Sequence, residues 1–137
     1  LDIRTDIKPL ADRCMELGTK VLLIKCGAPG IYYRTADEEK LRGIGGNLAL
    51  DPKQWAGKEG FERSYVPEKV VSRTEAGDTS IAAFLTAMLE GCSLEESLHL
   101  AAATGASCVA SYDALSGLKS FDELRDKMRQ GWQKNAL

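Results

Sequence analysis

The hydrophobic and polar positions of this chain fall into more than one rhythm. From Asp6 to Leu17 the apolar residues Leu10, Ala11, Cys14, Met15 and Leu17 make a helical stripe that Gly18 closes. "KVLLIKC" at 20–26 is a short continuous apolar run, the pattern of a strand buried on both faces. "CGAPGIYYRT" at 26–35 turns through Pro29-Gly30, a pairing that type II turns favour, into an alternating aromatic strand. From Thr35 to Gly60 the chain is polar and glycine-rich, with "GIGG" at 43–46, and reads as loops or a variable insertion. "FERSYVPEKVVSRT" at 61–74 reads as two short extended pieces broken at Pro67.

The remainder is helical. Small and apolar residues are dense from Thr79 to Glu90, which predicts a helix covered on nearly all sides, with Gly91 as its stop. Ser93-Leu94-Glu95-Glu96 has the form of a capping box opening the helix "LEESLHLAAATGASCVA" at 94–110. Ser120-Phe121-Asp122-Glu123 repeats that signal ahead of an amphipathic helix carrying Phe121, Leu124, Met128 and Trp132. No internal repeat is present. The order helix, strand, strand, irregular, strand and three helices describes an α/β arrangement that lacks its beginning.

Composition narrows the function classes. The 137 residues are 44% hydrophobic and 28% charged, enough for one ordinary domain core. Eighteen basic and 20 acidic residues are interspersed for a net charge of −2, so there is no electrostatic footprint for nucleic acid or an anionic membrane. The sequence has neither a membrane-length apolar run nor a signal-peptide pattern, and a cytoplasmic location follows by default. Cys14, Cys26, Cys92 and Cys108 form no CxxC pair and His99 is the only histidine, so no metal site is expected. His99 lies on a helix without a Ser or Cys partner in a nucleophile arrangement, which assigns it a structural role. The chain opens at Leu1, inside a helix start, which suggests a piece of a longer protein.

The chemistry-bearing stretch is Glu75-Ala76-Gly77-Asp78, immediately ahead of the 79–90 helix. Asp78 has two readings. It is a good N-cap, accepting hydrogen bonds from the free N–H groups of the first turn. It is equally placed to be a general base, because those N–H groups and the positive end of the helix dipole make an anion site beside it.

These residues resemble the C-terminal half of a ribokinase-type (PfkB-type) carbohydrate kinase, over about 110 residues in order. The resemblance runs through the strand, the "KCGAPG" turn, the second strand, "EKVVSRTEAGDTSIAAFLTAMLEGCSLEESLHLAAATGA" and the terminal "SFDEL" helix. The family pattern D-T-x-G-A-G-D is met by identity at Ala76-Gly77-Asp78, and the helix after it by shape, with Ala83 where Gly is usual. The resemblance implies a ribokinase-like three-layer α/β/α fold, incomplete, with residues 1–137 as the nucleotide-binding portion of the kinase domain. It implies ATP-dependent phosphoryl transfer to a sugar hydroxyl, with ATP and Mg²⁺ as cofactors. Asp78 becomes the catalytic base, and Glu75, Ala76 and Gly77 the anion hole. Lys25, Gly27 and Gly30 lie on the nucleotide phosphate side, with Ala102 and Gly105 beside the adenine. Spacing alone makes Gly27 and Gly30 a tight hairpin instead. A parallel sheet is expected, with the "KVLLIKC" strand central, flanked by the 6–17, 79–90 and 94–110 helices. A concave face would be left open for the missing N-terminal half, which carries most sugar-reading residues in this family, or for a second copy of the chain.

Besides Ala83, three positions depart from the family pattern. Glu75 stands where the first Gly of the anion hole is usual, Ser72 where an Asp often helps bind a monovalent cation, and Ala102 where an Asn is common. A carboxylate about 4 Å from a phosphate oxygen costs roughly 1 kcal/mol in water and about 4 at a protein-surface dielectric, unless it points to solvent or holds Mg²⁺. The alternative to a kinase is therefore a degenerate relative that binds a nucleotide or a partner without catalysis. The intact Asp78 and its helix start favour the kinase.

Overall fold

The computed structural model describes residues 2–44, 50–71, 76–111 and 117–136. A wide helical turn, Ile3–Ile7, capped by the Asp2 carboxylate, leads into α1 (Lys8–Glu16). Pro9 sits in the first turn of α1, where its missing N–H costs nothing, and Gly18 ends the helix at φ 99°.

Strands β1 (Val21–Lys25), β2 (Gly30–Thr35) and β3 (Glu59–Arg63) form one sheet in the order β1-β2-β3, antiparallel throughout. The parallel sheet expected from the sequence is thus not what the described residues build, and the "KVLLIKC" strand is an edge strand with half-buried side chains. The reason is the connection. Only residues 26–29 join β1 to β2, far short of the dozen or more that a parallel crossover needs. The turn closes with the Cys26 N–H on the Gly30 carbonyl at 2.9 Å, and Gly27 at φ 72° supplies its left-handed residue.

The alternation of β2 divides the core. Ile31 points into a cluster with Leu41, Trp55, Phe84, Leu94 and Leu98, whereas its neighbour Tyr32 packs on the other face with Ile7 and Ala11. Helix α1 therefore lies on one face of the sheet and α4 (Ala76–Leu89) with α5 (Leu94–Val109) on the other, which makes the expected three layers. A further cluster joins Tyr65, Ala87, Leu100, Ala103 and Leu124, tying α4 and α5 to α6 (Phe121–Arg129). Ser120 with Glu123 makes the predicted reciprocal capping box on α6, whereas at α5 only half of it forms: Ser93 accepts from the Glu96 N–H, and the Glu96 carboxylate accepts from Arg125 instead. Trp132 lies beyond the end of α6.

Two further expectations are corrected. The 35–60 stretch holds α2 (Glu38–Arg42) and α3 (Pro52–Trp55), each opened by an Asp N-cap, and the start of β3. Trp55, 1% exposed, meets Phe84 edge-to-face at 5.9 Å, so this stretch contributes to the core. Of "GIGG", Gly45 and Gly46 lie outside the described residues. Helix α4 is not covered all round: Asp78, Ala82, Leu85 and Leu89 share an exposed side, with Leu85 50% and Leu89 64% exposed.

Tyr32 carries a pH prediction. It is buried, and its hydroxyl donates to the Glu59 carboxylate. Burial first, and then Glu59, pushes its pKa from 10.0 up to about 12. The folded chain holds this proton more tightly than the unfolded chain, so its contribution is complete below pH 10 and is lost as the pH rises towards 12. Between pH 9 and pH 11 the parent should lose about 1 kcal/mol more stability than Tyr32→Phe. Urea midpoints of the two proteins at both pH values measure the difference, and equal losses would refute the assignment.

Candidate functional site

A cleft of about 630 Å³ opens where the β1–β2 turn, the first turn of α4 and one stripe of α5 meet. That volume falls in the ordinary range for a small-molecule site. The stripe on α5 is Ala102, Gly105, Ala106 and Val109, spaced as one helix face and roughly 10 Å long at about 1.5 Å per residue. Its residues are small, so the wall is flat and apolar. Residues 27–31 form the facing wall. Val70, held near the end of α5 by the Val71 N–H to Val109 carbonyl bond of 2.8 Å, lies at one end.

The helix start beside this cleft differs from the one expected. Among the described residues α4 is helical from Ala76, three residues before the apolar pattern, so Asp78 lies within the helix and is not its N-cap. The hydroxyls of Thr79 and Ser80 both donate to the Ala76 carbonyl, at 2.8 and 3.0 Å, and tighten this turn. Asp78 is nonetheless favourably placed, since a carboxylate in the first turn complements the positive helix end. It is exposed and does not line the cleft, whereas Ala76, Gly77 and Ser80 do.

Lys25, the last residue of β1, reaches over Gly77. A Cβ built on Gly77 would lie 1.6 Å from the Lys25 Nζ, so the ammonium occupies the space that a side chain would fill. Among the described residues no carboxylate pairs with it. A cation set against the positive end of a helix is an arrangement that an anion between them would stabilise. Gly105 has a similar steric reason: its Cβ would come 2.4 Å from the Ser80 Oγ, so glycine lets α5 approach the first turn of α4.

Of the residues singled out from the sequence, Lys25, Gly27, Gly30, Ala76, Gly77, Ala102 and Gly105 converge on this one cleft, although they span 80 positions from 25 to 105. Asp78 is adjacent to it, and Glu75 and Ser72 lie outside the described residues. The sequence reading missed Ser64, Tyr65 and Asn135, which also line the cleft. Tyr65 is buried, stacked on Trp132 with ring centroids 4.6 Å apart, and burial, then Glu62, raises its pKa. No local pattern signals these residues, because their partners are about seventy positions away.

His99 Nε2 lies 3.5 Å from the Glu62 carboxylate and is not part of the cleft, in keeping with a structural role. Among the described residues no cluster of three or more His, Cys, Asp or Glu is placed to hold a metal, and no helix is long and apolar enough to cross a membrane.

A strand-end lysine, a glycine-containing first helical turn and a flat small-residue helix face thus line one cleft of an α/β chain. Residues 2–120 match the pfkB family carbohydrate kinase description, and the chain belongs to that family. It is 30% identical over 113 residues to an uncharacterized sugar kinase of Archaeoglobus fulgidus, covering 82% of this chain and 37% of that protein. It is 35% identical over 98 residues to a ribokinase of Arabidopsis thaliana, covering 71% of this chain and 21% of that protein. The structure superposes on Arabidopsis thaliana ribokinase complexed with ribose and ATP with a TM-score of 0.67 at 29% identity, over 88% of this chain and 32% of that one. It also superposes on a putative ribokinase II from E. coli in complex with ATP and Mg²⁺, with a TM-score of 0.70 at 21% identity, over 90% of this chain and 33% of that one. The chain thus has part of the ribokinase-like α/β fold and spans 21% to 37% of the length of these relatives.

Proposed function

We propose that the cleft is the ATP-binding half of a sugar kinase site, and that the full-length protein transfers the γ-phosphoryl group of ATP to a hydroxyl of a sugar or sugar-like alcohol. The observation that carries this reading is the Lys25 ammonium set over Gly77 at the start of α4, two positive features that share one face of the cleft. Phosphoryl transfer needs charge stabilisation and positioning more than covalent help, and a lysine with free N–H groups at a helix start supplies both. In this reading Lys25, Gly27, Gly30, Ala76 and Gly77 face the phosphates. Ala102 and Gly105 leave the flat apolar face on which an adenine ring would lie. Asp78, one residue beyond Gly77, takes the proton of the attacking hydroxyl. Mg²⁺ would arrive with the triphosphate, held mainly by phosphate oxygens and water, as suits an ion that sheds its water reluctantly. The sugar, the remainder of the protein and any second copy of the chain would complete the site from outside these residues. An intact Asp78 in the first turn of α4 favours this over a non-catalytic relative.

Two substitutions test it in the full-length protein. Lys25→Met removes the charge. Gly77→Ala keeps it but drives the ammonium out of its place, while alanine in a helix is more favourable than glycine by up to about 1 kcal/mol. Each should weaken ATP binding by about 10- to 100-fold, the scale of one or two lost charge-assisted hydrogen bonds, with Gly77→Ala at least as stable as the parent. Titration calorimetry with ATP and Mg²⁺ gives the affinities. Parental affinity in both variants would sink the reading.

A further inference from the structure

The segment from Trp132 to Ala136 performs no task in the function just described, yet it is tied to residues in and beside the cleft wall. Trp132 stacks on Tyr65 and its indole N–H donates to the Val66 carbonyl at 2.6 Å. The Val66 N–H donates to the Gln133 carbonyl at 2.8 Å, and Lys134 bridges to Tyr65 and pairs with the nearly buried Glu62 carboxylate. The Asn135 N–H then donates to the Ser64 carbonyl at 2.8 Å, and its side-chain amide to the Ala28 carbonyl at 3.2 Å. Asn135 and Ala136 themselves line the cleft.

The last of these contacts is the informative one. Ala28 belongs to the short turn between β1 and β2, which carries Gly27 and Gly30 and forms a wall of the cleft. Ala28 is exposed, and the turn has one backbone bond closing it at Cys26 and one from the Ser64 N–H to the Pro29 carbonyl at 3.1 Å. A glycine-containing turn with so few bonds has many conformations to lose when a ligand orders it. An amide that spans 107 positions to hold one of its carbonyls removes part of that cost in advance.

We propose that Asn135 is a positioning residue for the nucleotide, which acts by pinning the Ala28 carbonyl and so pre-ordering the wall formed by residues 27–30. The inference rests on the ATP reading of the cleft. It also gives the 132–136 segment a role: the Trp132 stack and the Lys134–Glu62 pair anchor the segment so that Asn135 meets the turn in a set place.

The test uses Asn135→Ala and Asn135→Asp in the full-length protein. Both lack the amide N–H that Ala28 accepts, and aspartate keeps the size. Both should raise the apparent KM for ATP about three- to tenfold with kcat and the KM for the sugar unchanged. Amide hydrogen exchange at residues 26–30 should quicken in the absence of ATP, and thermal stability should change little. A merely structural role would lower the melting temperature and leave the ratio of the two KM values alone. A parent that binds ATP, with both variants binding it equally well, overturns this inference alone, as does unchanged exchange at the turn. A parent that fails to bind ATP overturns the nucleotide reading of the cleft and this inference with it.

Discussion

Replacing Asp78 by Asn in the full-length protein is expected to lower turnover by about a hundredfold or more, the scale of a lost general base, while ATP affinity stays near that of the parent. The two halves of this expectation come from one geometric fact. Asp78 follows Gly77 in the first turn of α4, so it is next to the proposed phosphate end of the cleft, yet it is exposed and takes no part in the cleft wall. Asparagine preserves its size and its hydrogen-bonding reach but cannot accept the proton of an attacking hydroxyl. Separate measurements of ATP affinity by calorimetry and of kcat with a panel of sugars decide the matter. Turnover at the parental rate would remove Asp78 from the chemistry, and a large loss of ATP affinity would show that it acts on the nucleotide instead.

The second large effect concerns folding. Gly30→Ala should destabilise the protein by about 3 kcal/mol or more. The new Cβ would lie 2.0 Å from the Glu62 carbonyl oxygen and 3.0 Å from the Arg63 Cα, both backbone atoms of β3 that cannot withdraw without opening the sheet. Its φ of 140° adds strain of about 1 to 3 kcal/mol for a residue with a side chain. Gly27 is the matched control. It also has positive φ, 72°, but nothing lies within 4 Å of its Cβ, so Gly27→Ala should cost only about 1 kcal/mol. Urea midpoints rank the two, and a Gly30→Ala cost no greater than that of Gly27→Ala would refute the packing argument.

The contrast between these glycines shows where sequence reading stops. Pro29-Gly30 signals a turn, and a turn is there, but its left-handed residue is Gly27, and Gly30 is required by a strand that arrives about thirty residues later. The same holds for α4. The apolar density from Thr79 onward predicts the helix, whereas its extension to Ala76, with the Thr79 and Ser80 hydroxyls on the Ala76 carbonyl, is seen only in the structure.

What the sequence determined by itself was local or was carried by ordered motifs. The helical stripes, the caps at Ser93 and Ser120, the aromatic strand and the family membership all lie in short-range spacing and residue order, which depend on the chain's own geometry. The convergence of Lys25, Gly77 and Gly105 was implied by the family resemblance, not by their spacing. Tertiary structure decided the rest. It added β3 to the β1–β2 hairpin, which a four-residue connection already makes antiparallel. It brought Trp55 into the core from a stretch that reads as loop. It laid residues 132–136 beside Tyr65 and put the Asn135 amide on Ala28. Such contacts join positions far apart in the chain, and their energy depends on a distance in space that no periodicity encodes.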